Sequence, residues 1–253
     1  MVATGVQVIV VDYDCPDKTA NYVATSFPSV RVVAVEDRPV FNVSKARNLG
    51  VAAATNADFI MFLDADAKPS DSLAVFLRES RFSEEEFLTW PEGVGECLVA
   101  RSKFIEVGGY DEVMDGWGYE DTDLSNRLER AGVKHLLFEP TMISIIPHPD
   151  EIRSGVEQTG NKWVTHRLNQ IYARIRDDVE AIIGSRLSED NRHRARKLVS
   201  DALKRAGESL QPVSFVIPLR SDQFDGCAVD GALAYSLRPA PLGLRLTGDK
   251  DGG

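Results

Sequence analysis

The chain has 253 residues, 43% of them hydrophobic, enough for one α/β domain with a sizeable core and an appendage. A formal charge of −10 and a pI near 5.0 argue against a nucleic-acid or anionic-membrane surface, though not against a local basic pocket for a phosphorylated substrate. Three widely spaced cysteines (Cys15, Cys97, Cys227) suit free thiols in a reducing compartment, and the amino terminus has neither a basic leader nor an apolar run long enough to span a membrane, so a cytoplasmic protein is expected.

In chain order, residues 6–11 (VQVIVV) form an apolar run that predicts a buried strand, ending at Asp12-Tyr13-Asp14. Pro16 and Asp17 open a helix to about Ser26, and residues 30–35 (VRVVAV) give a second strand. Residues 43–55 read as a helix, with Lys45 and Arg47 in its first turns. The run 59–63 (FIMFL) then reads as a central strand, ending in Asp64-Ala65-Asp66. In extended backbone, residues two apart point to one side, so both carboxylates are expected to project together from the strand's carboxyl end. That edge is where open α/β sheets bind ligands. Mutual repulsion calls for compensation, and hard oxygen donors suit Mg²⁺ or Mn²⁺. A helix from Ser70 to Ser80 follows, with Ser70 or Asp71 as its cap. Strand and helix alternate at βαβ spacing, which predicts a mostly parallel, doubly wound sheet.

The rhythm breaks at 83–95, where an acidic cluster followed by Trp90, Pro91, Gly93 and Gly95 reads as a surface excursion. Residues 97–100 resume as a strand and 101–107 as a short helix ended by Gly108-Gly109. The loop 111–118 (DEVMDGWG) leads into a helix over 120–131, and strands are expected at 133–138 and 142–146, the second running into Pro147-His148-Pro149. The catalytic domain is thus expected over 1–150 and a helical extension over 151–210, with long charged helices at 161–183 and 188–209. Residues 213–219 (VSFVIPL) look like another buried strand, and the Gly-, Pro- and Asp-rich tail 221–253 reads as poorly ordered.

In a parallel sheet, Asp12 and Asp14 would share an edge with Asp64 and Asp66, and the loop 116–121 and the end of 142–146 would arrive there too. Carboxylates, an imidazole, Lys45 and Arg47 suit a metal-bound diphosphate. Each residue has an ordinary alternative: turn acids at Asp12 and Asp14, helix-dipole acids at Glu120, Asp121 and Asp123, solvated cations at Lys45 and Arg47, a loop histidine at His148. Their coincidence at one edge carries the argument.

The stretches VVDYDCPDKTA, SKARNLGVAAATNADFIMFLDADAKPS and GGYDEVMDGWGYEDTDLSNRLERAG resemble, in that order, motifs of the nucleotide-sugar-dependent glycosyltransferases of the GT-A fold. GWGYED is similar to the carboxyl-terminal part of β1,4-galactosyltransferases and related bacterial family 2 enzymes, and the resemblance spans about 6–172. It implies an α/β GT-A fold and metal-dependent, inverting transfer of a sugar from a nucleotide-diphosphate sugar, with UDP as the nucleotide, to a glycan or other hydroxyl acceptor. It implies that Asp12 or Asp14 contacts the nucleobase, that Lys45 and Arg47 lie near the diphosphate, and that Asp64 touches the ribose or the metal. Asp66 and His148 would be metal ligands, Trp117 and Glu120 would hold the acceptor, and Asp121 would be the base, with Glu120 the second candidate. Members of the family begin with a βα unit that is missing here before residue 6, and in them that strand lies mid-sheet. Residues 213–220 (VSFVIPLR) resemble it, so they are expected beside 6–11, in this chain or in a partner copy of a homodimer. The alternative is that they begin a truncated second copy.

Two other classes compete. A haloacid-dehalogenase-like phosphatase also ends a strand in Asp-X-Asp, but on its first strand and followed by Thr or Val, where Ala67-Lys68 stand here. A non-catalytic nucleotide-sugar- or sugar-binding domain would keep the pocket without the reaction.

Overall fold

The computed structural model describes residues 6–36, 41–147, 162–209, 213–219 and 231–237. The chain divides into two compact units, Met1–Asn169 and Gln170–Gly253.

The first unit opens with a parallel pair, β1 (Ile9–Tyr13) and β2 (Arg31–Val35), connected through α1 (Thr19–Ser26). Asp12 is the penultimate residue of β1. Its carboxylate accepts from Cys15 N at 2.8 Å and Ala20 N at 2.6 Å, which fixes the turn and satisfies an orphan donor at the start of α1. Helix α2 (Val43–Ala53) is capped by Asn42, whose side chain accepts from Lys45 N.

A four-stranded sheet follows, in the order β3 (Phe59–Phe62), β6 (Gly93–Ala100), β5 (Glu86–Trp90), β7 (Lys134–Leu137). Alternation of side chains divides its residues between two cores. Ile60, Phe62, Phe87, Cys97 and Val99 join Val51 of α2, Phe104 of α4 (Arg101–Glu106) and Leu124 and Leu128 of α5 (Glu120–Arg130). Phe59, Met61, Leu88, Trp90 and Leu98 join Leu73, Phe76 and Leu77 of α3 (Asp71–Glu79), together with Phe138 and Ile143. Phe87, Val99, Leu73 and Leu128 are fully buried, each stabilising by roughly 1.5–3 kcal/mol relative to exposure. A short antiparallel pair, β4 (Ala67–Pro69) with β8 (Ile143–Ile145), completes the unit's strands among the described residues.

The α/β class and the order of elements follow the sequence reading, but the ladders correct it in two places. The sheet is mixed rather than mostly parallel: β1–β2 and β5–β7 are parallel, whereas β3–β6, β5–β6 and β4–β8 are antiparallel. The stretch 83–95 is not a surface excursion but β5 and the start of β6. Pro91 and Glu92 form the tight turn of a hairpin, which forces antiparallel pairing, and Phe87, Thr89 and Trp90 between the acids and the turn are buried.

The second unit holds α6 (Lys162–Ile183) from Gln170 onward, α7 (Glu189–Ser209) and an antiparallel ribbon of β9 (Val213–Leu219) with β10 (Gly231–Leu237). The strand at 213–219 exists as expected, but it pairs with β10, while β1 pairs with β2 among the described ladders. Its burial explains why: Phe215, Ile217 and Leu219 are buried while Ser214 and Val216 are exposed, the alternation of a one-sided ribbon rather than a strand covered on both faces. Strand β10 also corrects the reading of 221–253 as wholly poorly ordered; Tyr235 there stacks on Phe215 and reaches Asp178. Among the described residues, no helix is long and apolar enough to cross a membrane.

Candidate active site

The Asp64-Ala65-Asp66 motif leaves β3 as a turn, not as extended strand: Ala67 N donates to Asp64 O at 3.0 Å, and the chain reverses into β4. Two carboxylates pointing to one side of a strand is therefore corrected to two carboxylates on one tight turn. Because β4 pairs with β8, Ile146 N donates to Asp66 O at 2.8 Å, so the end of the β8 segment arrives at the motif as the sequence predicts. His148, two residues further, lies outside the described residues.

Arg47 reaches this turn from α2. Its guanidinium, with the side chain only 10% exposed, donates to Asp64 Oδ1 at 2.7 Å through Nη2 and to Asp121 Oδ1 through Nη1. It also lies 5.0 Å from the centroid of the Tyr110 ring, and Tyr110 OH donates to Asp121 Oδ1 at 2.9 Å. Burial alone would weaken the Arg47 charge, but Tyr110, Asp121 and Asp64 outweigh it and hold its pKa above the ordinary value. Residues 47, 64 and 121, far apart in the chain, thus meet in one ion-paired centre.

The next residue explains how that centre is kept in place. Asn48 accepts from Tyr110 N and donates to Tyr110 O, both at 3.0 Å, and donates to Glu112 Oε1 at 2.9 Å. A Cβ on Gly109 (φ 66°) would stand 2.9 Å from Asn48 Oδ1, so the close approach needs glycine. Consecutive residues of the α2 motif thus serve two halves of the site: Arg47 the carboxylates, Asn48 the GGYDE loop. Arg127 of α5 ties the same loop down, donating to Val107 O and Gly109 O at 2.7 Å while paired with Asp123.

Glu120 and Asp121 sit in the first turn of α5, where the helix dipole favours acids. Burial, and then Asp121, push the Glu120 carboxyl up to about 7. Its Oε2 is buried without a hydrogen-bond partner. The native protein therefore holds the Glu120 proton more firmly than the unfolded chain does. That contribution to stability is complete below about pH 4.5 and is lost as pH rises through about 7. Replacing Glu120 by Gln should leave Tm near that of the parent at pH 4.5 and raise it at pH 8, by an increment on the order of 2–3 kcal/mol. Calorimetry showing the same difference at both pH values would contradict this.

Sequence reasoning missed two participants because it began their strand at Cys97, whereas β6 begins at Gly93. Gly95 of β6 passes so close that a Cβ there would stand 3.1 Å from Arg47 Nη2 and 3.3 Å from Asp64 Oδ2. Glu96 beside it is buried, and burial followed by Asp64 raises its carboxyl pKa. Asp12 is occupied by its own loop, Asp14 adopts a left-handed conformation (φ 58°), and the Lys45 ammonium faces Glu112 at 4.0 Å. Trp117 is 40% exposed on the loop before α5.

Asp64, Glu96, Glu120 and Asp121 stand in the field of one guanidinium, and burial first and the neighbouring acids second keep the Glu96 and Glu120 carboxyls above their ordinary range. Hard oxygen donors in such a field fit a divalent cation of the Mg²⁺ or Mn²⁺ kind. Among the described residues no three His, Cys, Asp or Glu side chains form a ready-made ligand set, so the fit rests on the carboxylates of the Asp64–Asp66 turn.

Residues 88–152 match the family described as N-terminal domain of galactosyltransferase. Human chondroitin sulfate synthase 3 is 28% identical over 82 residues, 32% of this chain but 8% of that protein. Among solved structures, GalNAc-T7 with UDP, GalNAc and Mn²⁺ aligns with TM-score 0.50 at 14% identity, over 85% of this chain and 54% of the other. A mutant of Drosophila β1,4-galactosyltransferase 7 with manganese, UDP-Gal and xylobiose aligns with TM-score 0.45 at 20% identity, over 64% and 80%. The chain therefore spans a small part of the curated relative's length and about half of the GalNAc-T7 chain. The matched segment runs from β5 to just past β8 and contains Glu96, Tyr110 and the Glu120–Asp121 pair, and the chain shares the α/β fold of the GalNAc-T7 structure.

Proposed function

We propose that this protein transfers a sugar from a nucleotide-diphosphate sugar, with UDP as the nucleotide, to an acceptor hydroxyl, with a divalent metal and inversion at the anomeric carbon. The observation that carries the reading is the Arg47 bridge, which joins the Asp-X-Asp turn to the first turn of α5. Single displacement needs a proton acceptor on the acceptor side and neutralisation of the leaving diphosphate on the other. One centre offering both is what that reaction asks for.

Asp64 and Asp66, with His148, would hold the metal, and Mn²⁺ or Mg²⁺ there would neutralise charge growing on the departing diphosphate. Asp121 acts as the base: Arg47 and Tyr110 orient its carboxylate through Oδ1 and leave Oδ2 for the acceptor proton. Glu120 is the second candidate, favoured by its carboxyl standing at about 7, close to working pH. Trp117 offers an aromatic face on which the acceptor sugar stacks. Asp12 or Asp14 faces the nucleobase, and Lys45 lies on the donor side. Support for donor and metal comes from the complexes of the aligned structures, which hold UDP species and manganese.

The direct test is a thermal-shift and hydrolysis screen of UDP-sugars with Mn²⁺, Mg²⁺ or a chelator. A Tm increase that needs both a UDP-sugar and the metal, accompanied by slow release of UDP, is expected. Asp66→Ala should abolish the metal-dependent part. Stabilisation by UDP-sugar with no turnover on any acceptor would favour a binding domain, and metal-dependent release of phosphate from small esters would favour a phosphatase.

A further inference from the structure

An aromatic corner stands three residues before Glu120. Trp117, on the loop before α5, and Trp163, in the first turn of α6, meet with ring centroids 5.5 Å apart and planes at 79°. Both belong to the first unit. Trp163 is 61% exposed and Trp117 40%, so two adjacent large indoles face solvent. They are held rather than loose. Thr165 Oγ1 donates to Trp117 O at 3.1 Å, and Asn169, itself buried, donates to Gly118 O at 2.9 Å. His166 packs against Trp117, Tyr119 and Trp163 with centroids 5.7 to 6.2 Å away. Gly118 (φ 95°) admits that imidazole: a Cβ there would come within 2.8 Å of His166 Cδ2. The Lys162 ammonium lies 5.5 Å and 5.9 Å from the two indole centroids.

Hydrophobic collapse would hide two such rings, and random exposure would leave them singly placed and mobile. Rigid neighbouring aromatic surfaces, rimmed by an imidazole, a hydroxyl and an ammonium, are built to receive a ligand. The ligand must have flat C–H faces to stack and hydroxyls to meet the rim, and must turn through a wide angle between one face and the next. A chain of sugars has these properties. An apolar helix would need a continuous apolar floor, which the rim of polar groups interrupts.

We propose that Trp163 is a second stacking surface and that the acceptor is an oligosaccharide of at least two sugars, its terminal residue on Trp117 and the next on Trp163. This rests on the reading of the chain as a glycosyltransferase, and it adds to that reading a substrate class and a residue outside the family-matched segment. The Trp163 face sets how long an acceptor must be, while the carboxylates of α5 act only on the terminal hydroxyl.

The test uses the full chain and Trp163→Ala, with Trp163→Tyr as the conservative variant. Probes are methyl glycosides of glucose, galactose, N-acetylglucosamine, xylose and glucuronic acid, and β-linked disaccharides ending in each. The parent should prefer a disaccharide over its terminal monosaccharide by about five- to tenfold in kcat/KM, mainly through KM. Trp163→Ala should erase that preference and leave UDP-sugar hydrolysis without acceptor unchanged, and Trp163→Tyr should keep most of it. Independently, titration of the disaccharides should move the Trp163 indole N–H resonance, identified by its absence from the alanine variant. An unchanged preference in Trp163→Ala, or no indole shift with any disaccharide, overturns the proposal. Absence of UDP-sugar hydrolysis in the parent would instead count against the transferase reading, while the indole titration still decides whether the corner binds oligosaccharides.

Discussion

Arg47→Met should reduce sugar transfer by about 10³ or more and also destabilise the first unit, an effect larger than that of any single carboxylate change. The guanidinium is the cation that Asp64 and Asp121 both contact, and Glu96 and Glu120 stand in the same field. Removing it leaves Asp121, only 14% exposed, without its charge partner. Breaking a buried pair from one side costs about 3–5 kcal/mol because the remaining charge is left uncompensated, and here the penalty falls with more than one acid. Asp64 is 46% exposed and water offsets part of its share. Arg47→Lys should recover some stability but little transfer: one ammonium lacks the planar fork that reaches two carboxylates along separate N–H directions. Thermal denaturation and UDP-sugar turnover on the parent and both variants check this. A methionine variant with parental Tm and turnover would show that the bridge is incidental. A divalent ion should raise the Tm of the parent more than that of Arg47→Met if Asp64 must be aligned before it binds.

Much of this centre was legible because its residues belong to short stretches whose composition is unusual for their position. An apolar run ending in Asp64-Ala65-Asp66, a helix start carrying Arg47-Asn48, and acids in the first turn of α5 were read as neighbours at one edge, and Arg47 does contact both Asp64 and Asp121. What the sequence concealed was how the backbone delivers them. Asp64 and Asp66 were read on extended strand, whereas the chain turns back at Asp64, a difference that depends on β8 being there to pair with β4. Glu84, Glu85 and Glu86 together with Pro91 made β5 look like a loop, because local polarity masked the buried Phe87 and Trp90 between them. Reading the start of β6 as part of the same loop hid Gly95 and Glu96, which contribute through closeness rather than through any motif. Residues 213–219 erred the other way. An apolar composition suggested a strand covered on both faces, but only alternate residues are buried, and the partner, β10, came from a tail whose Gly and Asp content hid it. Asp12 also accepts from two backbone amides of its own loop, a use that no sequence pattern announced.

Asp121→Asn should lower transfer by roughly 10² or more while donor affinity changes little. The substitution suits the geometry, because an amide oxygen can still accept from Arg47 and Tyr110 at the place of Oδ1. What disappears is the negative charge and the second oxygen that would take the acceptor proton, so a fall in kcat at unchanged donor KM isolates proton transfer from positioning. Loss of the charge also relieves Glu120, whose carboxyl is raised by burial first and by Asp121 second. In Asp121→Asn the Glu120 carboxyl should therefore titrate below about 7, and any residual activity should keep a flatter dependence on pH through neutrality than the parent's. Glu120→Gln provides the counter-test. If Asp121 is the base, that variant loses acceptor affinity more than kcat. Near-parental kcat in Asp121→Asn, with a collapse in Glu120→Gln and the disappearance of a rise in activity through pH 7, would transfer the role of base to Glu120. Asp121 would then serve to hold Arg47 and to set its neighbour's proton affinity, a role that an asparagine fills in shape but not in charge.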